Sequence, residues 1–447
     1  MAQRYWVETL GCPKNQVDSD KLTGTLEAGG LTAADAPEGA DVVVVNTCAF
    51  IDEARAESVE TILGLVDRRG EGARVVVTGC LAERSGDELA EALPEVDAVA
   101  GFGVDLLGAI GLDASPPAGG ATPVTLGATR RALRAGDEGV PSFDLLHLPR
   151  PRSERPWAYV RVAEGCDRAC GFCAIPSFRG PQRSRTVDDV LAEVDALEAR
   201  EIVLVAQDLA AFGRDQGQGT RAIVPLVEAV AARVDRVRLL YLYPSDLTDE
   251  LVDAILGTGV AYVDLSLQHA SRPHLRRMRR WGDGDRFLER IEAIRAREPG
   301  TAFRSNVIVG YPGETEADHD ALLRFVEEAQ LDWFGVFHYS EEPGTHAAGL
   351  EPKVPRGLMV ERAAEVRELA DAITAARRDD LLGTTVEVLV DEPGVGRSYR
   401  EAPEIDGVIA VPDHLEVGSF VDVEVTGAMG PDLEAVPVGA PPVLEAS

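Results

Sequence analysis

The sequence predicts an α/β protein of three modules: an N-terminal parallel α/β domain, a partial (βα) barrel and a small C-terminal antiparallel β-barrel. Three observations support this fold class. Near the N-terminus, strand-length apolar segments alternate with helical segments, the βαβ rhythm of a parallel sheet. Further along, six strand segments have helical segments between them. After a long helical segment, apolar and polar residues alternate in short segments, which is typical of a small barrel with one face inward.

In the N-terminal module the predicted order is strand, helix, strand, helix, strand. The strands are RYWVETLG, DVVVVNTC and ARVVVTGC, and the helices between them are VDSDKLTGTLEAGG and IDEARAESVETILGLVDRRG. Stretches rich in proline and glycine follow and mark the exit from the module. We therefore predict that the module covers residues 1–125 and that a linker covers 126–152.

The second module, predicted over residues 153–378, begins with the strand WAYVRVAEGC. Its other strands are EIVLVAQD, RVRLLYLYP, AYVDLSLQH, AFRSNVIVGYPGE and DWFGVFHYS. Chemistry in such barrels takes place at the carboxyl ends of the strands, where Gln207, Asp208, Gln268, His269 and the GYPGE turn fall. Gln207, Asp208 and His269 either line a site there or cap helices and satisfy backbone groups.

The third module, predicted over residues 379–441, follows the helical segment VERAAEVRELADAITAARRDDLLG. Its strands are TTVEVLVDE, DGVIAVP and SFVDVEVTGAM, with glycine and proline turns between them. From Leu381 to the end the sequence contains 13 acidic and 2 basic residues. This net negative charge is opposite to the positive charge expected of a barrel that binds RNA.

Composition restricts the functional class further. The 447 residues suffice for two or three domains, and the formal net charge is −32. Such acidity favours a cationic partner, such as a basic protein, although RRALR, LRRMRR and RGPQRSR could form a local basic patch. The apolar runs are too short to span a bilayer, and the N-terminus lacks the pattern of a secretory signal. We expect a cytoplasmic protein without a membrane partner, whose six cysteines serve as metal ligands rather than disulfides.

Three of those cysteines lie close together in the segment EGCDRACGFCAIPSFRG. The spacing of Cys166, Cys170 and Cys173 suits three irons of a [4Fe-4S] cluster and leaves the fourth iron without a protein ligand. A structural zinc site would close all four positions, yet no histidine or fourth cysteine lies nearby in the sequence. An iron left open in this way can bind a small chelating molecule, which indicates redox chemistry.

The other three cysteines, Cys12, Cys48 and Cys80, each follow a predicted strand of the N-terminal module. The carboxyl ends of parallel strands gather at one edge of a sheet, so these thiols can converge although they are far apart in the sequence. The alternative is three unrelated buried thiols. The repeated placement favours a second cluster with three protein ligands.

The CxxxCxxC segment, with the aromatic Phe172 between its last two cysteines, is similar to the radical SAM superfamily. The whole arrangement resembles the methylthiotransferases, which combine an N-terminal domain with scattered cysteines, a radical SAM barrel and a C-terminal TRAM domain. This resemblance implies two [4Fe-4S] clusters and S-adenosyl-L-methionine (SAM) as cofactors. The cluster that cleaves SAM would be held by Cys166, Cys170 and Cys173, and an auxiliary cluster for sulfur delivery by Cys12, Cys48 and Cys80.

The same resemblance implies the reaction and a cofactor pocket. A 5′-deoxyadenosyl radical activates a C–H bond, and a methylthio group is placed on that carbon. We assign no protein general base, because radical abstraction needs none. The candidate cofactor-binding residues are Phe172, Gln207, Asp208, Gln268, Arg280, Arg304 and Gly310.

Local motifs indicate the substrate branch of the family. GCPKN, NTCAFI, AIPSFRGPQRSR and GRSYREAPEIDG are similar to the branch that modifies the β-carbon of an aspartate in small-subunit ribosomal protein S-twelve. The implied partners are that protein or the small ribosomal subunit, with a flavodoxin- or ferredoxin-type electron donor. An acidic C-terminal module agrees, because the S-twelve protein is very basic.

Two alternatives stay open at this stage. A tRNA adenosine methylthiotransferase uses the same chemistry, but such enzymes usually have GCQMN at the first cysteine, and the acidic tail makes nucleic acid an unlikely substrate. An iron–sulfur scaffold without turnover would bind clusters and leave SAM intact.

Overall fold

The computed structural model describes residues 3–102, 104–111, 144–218 and 222–439, which form two compact units. The first unit contains the described residues up to Arg152, together with Glu164–Arg168 and Ala174–Arg183. The second contains Ser153–Ala163, Ala169–Cys173 and the described residues from Ser184 onward. The predicted boundary at 125/126 and the segment RRALR lie outside the described residues, and the other module boundaries stay predictions.

The first unit is built on a five-stranded parallel sheet, which confirms the predicted βαβ alternation. Its strands are β1 (Arg4–Thr9), β2 (Thr32–Ala33), β3 (Val42–Thr47), β4 (Arg74–Gly79) and β5 (Ala98–Val99). Their order across the sheet is β2-β1-β3-β4-β5. Its helices are Pro13–Ala28, Asp52–Arg68, Cys80–Ala92, Leu106–Ala109 and Ile175–Arg179, with a 3-10 turn at Pro37–Gly39. Helices cover both faces of the sheet, so Val43 and Val45 face one apolar cluster while Val42 and Val44 face another.

The second unit contains the predicted partial βα barrel. Its six long strands are all parallel: β6 (Trp157–Arg161), β9 (Glu201–Val205), β10 (Arg236–Leu239), β11 (Tyr262–Gln268), β12 (Ala302–Val309) and β13 (Trp333–His338). They form two three-stranded sheets joined by a single bridge between Leu242 and Leu265. The first and last strands are not paired in the part of the chain that the structure describes, so the barrel is open. Two short strands, β7 (Ala163–Glu164) and β8 (Arg183–Ser184), flank the CxxxCxxC loop in the sequence.

Helices between the barrel strands bury an apolar face against them. They are Val187–Leu197, Ile223–Ala231, Asp249–Leu256, Arg272–Arg277, Gly284–Arg297 and Glu316–Ala329, with 3-10 turns at Leu209–Ala211, Pro244–Asp246 and Ala347–Gly349. The longest helix, Arg356–Asp379, follows the barrel, as the sequence predicts. Within the described ranges, no helix has both the length and the apolar character needed to cross a membrane.

A closed five-stranded barrel ends the second unit. Its strands are β14 (Thr385–Glu392), β15 (Val395–Arg397), β16 (Ile409–Ala410), β17 (Phe420–Met429) and β18 (Asp432–Pro437). The sequence pattern predicted β14, β16 and β17 but missed β15 and β18, because β15 has only three residues and β18 contains acidic residues and a proline. All neighbouring strands pair antiparallel except β16 and β18, which are parallel.

The segment Arg397–Asp406 fixes the small barrel to the amino-terminal ends of the βα-barrel strands. Glu201, the first residue of β9, lies between two buried guanidinium groups, 2.8 Å from Arg238 Nε and 3.1 Å from Arg397 Nη1. The hydroxyl of Tyr159 donates to the carbonyl of Pro403 at 2.6 Å. Because the small barrel occupies the amino-terminal ends, the carboxyl ends of the strands are left for a site.

Candidate functional site

The cysteines of the first unit lie where three strands end. Cys12 precedes the helix Pro13–Ala28 after β1, Cys48 directly follows β3, and Cys80 directly follows β4 as the first residue of the helix Cys80–Ala92. Cys48 and Cys80 are buried, and none of the cysteines forms a disulfide. The predicted placement of these thiols at strand ends is therefore present in the fold.

Close packing brings the loops that carry these thiols together. A Cβ on Gly11 would lie 2.8 Å from the Cβ and 2.9 Å from the Sγ of Cys48, and Gly11 has φ +98°. The Asn15 amide nitrogen donates to Leu10 O at 2.8 Å and to Thr47 O at 3.0 Å, and its Oδ1 lies 3.5 Å from Cys80 Sγ. One asparagine thus ties together the loops that contain Cys12 and Cys48 and contacts Cys80.

The three thiols influence one another electrostatically. The pKa of Cys48 is raised to about 12, mainly by burial and to a smaller extent by the nearby Cys12 and Cys80. Burial also raises the pKa of Cys80, against the opposing effect of Arg179. The pKa of Cys12 is lowered, because Lys14, backbone hydrogen bonds and Arg179 outweigh its burial. Burial and the neighbouring Cys12 raise the pKa of both Cys48 and Cys80, so a bound cation favours their ionisation, and soft thiolates suit an iron–sulfur cluster. This set of residues therefore fits a cluster with three protein ligands.

Arg179 is a residue of this site that the sequence analysis did not single out. Its Nη2 lies 3.0 Å from Cys80 Sγ, 3.1 Å from Asn15 Oδ1 and 3.1 Å from an oxygen of Asp18. The available signal was an arginine six residues after Cys173, in AIPSFRG. Arg183 and Arg185 in the same segment form ion pairs with Asp144 and Glu193, so RGPQRSR is not an open basic patch.

The CxxxCxxC loop is divided between the two units and is held by backbone contacts in each. In the first unit, Cys166 N donates to Gly180 O at 3.1 Å, and its sulfur accepts from Arg168 N at 3.4 Å. In the second unit, Gly171 N donates to Met278 O at 2.8 Å. Cys166, Cys170 and Cys173 are all partly exposed, which suits ligands of a cluster that must bind a second molecule.

Arg280 contacts this loop within the second unit. Its Nη1 lies 3.4 Å from Cys170 Sγ, and its guanidinium carbon lies 3.9 Å from the centre of the Tyr243 ring. Its other terminal nitrogen donates to Ser266 O, on β11. Phe172, which precedes Cys173 in the sequence, packs against the main core of the barrel. The structure therefore places Arg280 beside the sulfur of one predicted cluster ligand.

The other predicted cofactor residues fall at the carboxyl ends of strands, with one exception. Gln207 and Asp208 follow β9, Gln268 ends β11 with φ +74°, and Gly310 follows β12 with φ +84°. Arg304 is the third residue of β12, 3.2 Å from Asp264 Oδ1 and 3.4 Å from Asp406 Oδ1. The fold does not bring Arg304 to the strand-end group, because its ion pairs hold it toward the small barrel.

A buried cluster of His269, His274 and Glu314 supports the GYPGE turn. A Glu314 oxygen accepts from Gly310 N, and its other oxygen lies 3.5 Å from Arg362 Nη1. His269 Nδ1 accepts from the backbone N–H groups of Ala270 at 2.9 Å and Ser271 at 3.0 Å. His269 therefore satisfies backbone groups at the start of a helix, which was one of the two alternatives that the sequence left open. With Nδ1 an acceptor, neutral His269 carries its proton on Nε2, which disfavours a metal ion at that atom.

Three family matches cover most of the described fold. Residues 4–101 match Uncharacterized protein family UPF0004, residues 160–326 match the Radical SAM superfamily, and residues 382–438 match the TRAM domain. They correspond to the parallel sheet, the partial barrel and the closed small barrel.

Among solved structures, the radical S-adenosylmethionine methyltransferase TsrM from Kitasatospora setae has a similar fold. One TsrM structure matches with a TM-score of 0.52 and 15% identity, covering 94% of this chain and 84% of that chain. Another matches with a TM-score of 0.54 and 14% identity, covering 83% and 89%. At these identities the likeness concerns the fold alone.

Curated relatives match over nearly the whole chain. Proteins named ribosomal protein uS12 methylthiotransferase RimO are 40% identical in Cutibacterium acnes, over 97% of both chains, and 43% identical in Salinispora tropica, over 97% of this chain and 95% of the relative. The protein of that name in Anaeromyxobacter sp. strain K is 42% identical, over 97% and 93%. With this identity over the full length, and with a radical SAM barrel between the two flanking domains, the chain belongs to the RimO family of methylthiotransferases.

Proposed function

We propose that this protein is a radical SAM methylthiotransferase that adds a methylthio group to the β-carbon of an aspartate in ribosomal protein uS12. The observation that carries the proposal is the pair of three-cysteine motifs in a chain that belongs to the RimO family. Each motif lies at the carboxyl end of strands, where ligands of α/β folds bind. The free protein or the small ribosomal subunit is the substrate.

Two [4Fe-4S] clusters are assigned to the six cysteines. Cys166, Cys170 and Cys173 hold the cluster that binds SAM, and Cys12, Cys48 and Cys80 hold the auxiliary cluster. The proposed SAM pocket consists of Phe172, Arg280 and the strand-end residues Gln207, Asp208, Gln268 and Gly310. Arg304 is instead held by ion pairs with Asp264 and Asp406. When bound, the clusters and SAM would supply the radical that activates the C–H bond and the sulfur that is inserted, and a second SAM would supply the methyl group.

The residues of the chain hold, orient and shield these groups. Gly310, with φ +84°, keeps the turn close to Met359, since a Cβ there would lie 2.4 Å from Met359 Cγ. The Arg280 guanidinium, over Tyr243 and beside Cys170, can orient an anionic group at the same place. Asp208 and Gln268 are buried, which limits the access of water to this edge of the barrel.

The net charge of −32 and the acidic small barrel favour a basic protein substrate over tRNA. We also propose that the protein acts in the cytoplasm and receives electrons from a flavodoxin- or ferredoxin-type donor. The tRNA alternative predicts the same clusters and a different modified product.

The test uses the full-length protein, reconstituted anaerobically with iron and sulfide and supplied with reductant and SAM. A peptide of the uS12 aspartate loop and an unmodified tRNA anticodon stem are offered in parallel, and each is analysed by mass spectrometry. We expect methylthio addition to the peptide alone, while addition to the RNA alone would contradict the substrate assignment.

Two variants serve as matched controls. Cys170→Ala is expected to abolish SAM cleavage, whereas Cys48→Ala is expected to retain SAM cleavage and lose methylthio transfer. Intact SAM in the unsubstituted protein, with both clusters present by spectroscopy, would favour the scaffold alternative.

A further inference from the structure

We infer that Arg179 is a positioning residue for the auxiliary cluster: it donates a hydrogen bond to the sulfur of Cys80 and makes the cluster held there easier to reduce. This inference rests on the proposed assignment of a cluster to Cys12, Cys48 and Cys80. It adds a residue that is not a ligand and that lies outside the three-cysteine set.

The contacts of Arg179 all lie within the first unit. One terminal nitrogen lies 2.9 Å from Glu164 Oε1, and the other lies 3.1 Å from Asp18 Oδ2 and 3.0 Å from Cys80 Sγ. The guanidinium carbon is 4.5 Å from the centre of the Phe102 ring. The side chain is 4% exposed, so its planar fork is held on several sides in a place with little solvent.

The charges around Arg179 show why an arginine is needed there. Asp18 and Glu164 are 1% and 12% exposed, so two nearly buried carboxylates share this one guanidinium. A guanidinium stays protonated in proteins, so Arg179 places a full positive charge between these carboxylates and the sulfur of Cys80. Loss of the guanidinium would leave both carboxylates close to a site that is itself anionic when a cluster is bound.

The helix that carries Arg179 has another anchor in the same unit. Phe178 packs against the apolar cluster on one face of the sheet, and Arg84 lies 6.0 Å from its ring centre. This partly buried aromatic ring anchors the helix Ile175–Arg179 without using Arg179. The contact of Arg179 with sulfur therefore calls for a second explanation.

Hydrogen bonds to ligand sulfurs are one of the means by which proteins set the reduction potential of iron–sulfur clusters. A donor and a positive charge at Cys80 stabilise the reduced cluster, which carries one more electron, relative to the oxidised cluster. Since Arg179 lies six residues after Cys173 in the sequence, the segment that follows the SAM-binding motif supplies this group to the other cysteine site.

The test isolates the auxiliary cluster in the full-length chain. A parent protein with Cys166, Cys170 and Cys173 all replaced by alanine is reconstituted and titrated with dithionite, which supplies one electron per cluster, and reduction is followed by EPR. Arg179→Gln and Arg179→Lys are made in this parent. The control is Arg183→Gln, because Arg183 lies on the same segment and forms an ion pair with Asp144.

We expect Arg179→Gln to make one-electron reduction roughly tenfold less favourable, a fall of about 59 mV in midpoint potential. Arg179→Lys keeps the charge without the fork and should give a smaller fall, and Arg183→Gln should match the parent. Loss of iron from Arg179→Gln, with the parent's melting temperature, would also support the inference. An unchanged midpoint potential in Arg179→Gln would contradict the inference. So would iron loss from Arg179→Gln if Arg179→Gln and Arg183→Gln lose the same amount of stability. If the parent itself binds no cluster, the proposed function fails, because the auxiliary site then does not exist.

Discussion

At the scale of single residues, the proposed sites contain glycines that leave room for a neighbouring side chain and arginines that place a charge beside a sulfur. Gly11 has φ +98° and lies against Cys48, and Gly310 has φ +84° and lies against Met359. Arg179 and Arg280 each place a guanidinium nitrogen beside the sulfur of one proposed ligand, Cys80 and Cys170. The ligands were evident from the sequence, whereas Arg179 was not, because only the fold brings it beside Cys80.

Gly11→Ala should selectively remove the auxiliary cluster. The new methyl group would lie 2.8 Å from the Cβ of Cys48 and must displace it, so we expect loss of about half the bound iron. Gly30→Ala is the control, since Gly30 has φ +86° with open space around it. Both variants pay about 1–2 kcal/mol of backbone strain, so only the clash differs. Iron and sulfide analysis checks this, and equal iron in the two variants would contradict it.

Arg280→Met should slow reductive cleavage of SAM by roughly ten- to a hundredfold while the iron content stays unchanged. Its guanidinium makes charge-assisted contacts to Cys170 Sγ and Ser266 O, and each such bond contributes about 1.5–3 kcal/mol. Arg276→Met, at an exposed position of the helix Arg272–Arg277, is the control. Anaerobic assay of 5′-deoxyadenosine measures the effect. Similar rates in the two variants would remove Arg280 from the pocket.

At the scale of elements, strand ends and helix starts are joined by side chains that satisfy backbone groups. The end of β11 leads through Gln268, with φ +74°, into the helix Arg272–Arg277. His269 accepts from two backbone N–H groups at this junction, and Glu314 accepts from Gly310 in the turn after β12. The histidine acts here as a local acceptor for the backbone.

His269→Leu should therefore destabilise the protein by about 2–3 kcal/mol more than His269→Asn does. Leucine leaves two buried N–H groups without an acceptor, whereas an asparagine Oδ1 can take the position of Nδ1. Urea unfolding of both variants measures the difference in free energy. Equal destabilisation would show that the ring packing, 4.5 Å from the His274 ring centre, is what matters.

At the scale of the whole molecule, the acidic small barrel is fixed to the βα barrel by buried charges. Glu201 is fully buried between Arg238 and Arg397, and Glu401 is buried against Arg378. Burial raises the pKa of Glu201, but the guanidinium groups of Arg397, Arg238 and Arg236 outweigh it and lower the pKa to about 2. The two barrels of the second unit are thus coupled by ion pairs that depend on an ionised carboxylate.

This coupling predicts an acid limit to stability. Because the pKa of Glu201 is lowered from 4.5 to about 2, its contribution is fully present above pH 4.5 and is lost as the pH falls toward 2. The contribution amounts to about 3 kcal/mol. Glu201→Gln should flatten the fall in unfolding free energy over this window, and Glu392→Gln, at an exposed position of β14, should not. Urea unfolding at several pH values tests it, and parallel curves for the Glu201 variant and the unsubstituted protein would contradict it.

By itself, the sequence determined the order of the modules, the strand ends and the two sets of cysteines, because hydrophobic periodicity and residue spacing are local properties. It could not determine that Arg304 pairs with Asp264 and Asp406, that β16 and β18 run parallel, or that Arg179 lies beside Cys80. Those features join residues that are far apart in the chain, and only tertiary packing decides which distant charges and strands meet. A guanidinium pairs with whichever carboxylate or sulfur the fold brings within reach, and no local pattern records that choice.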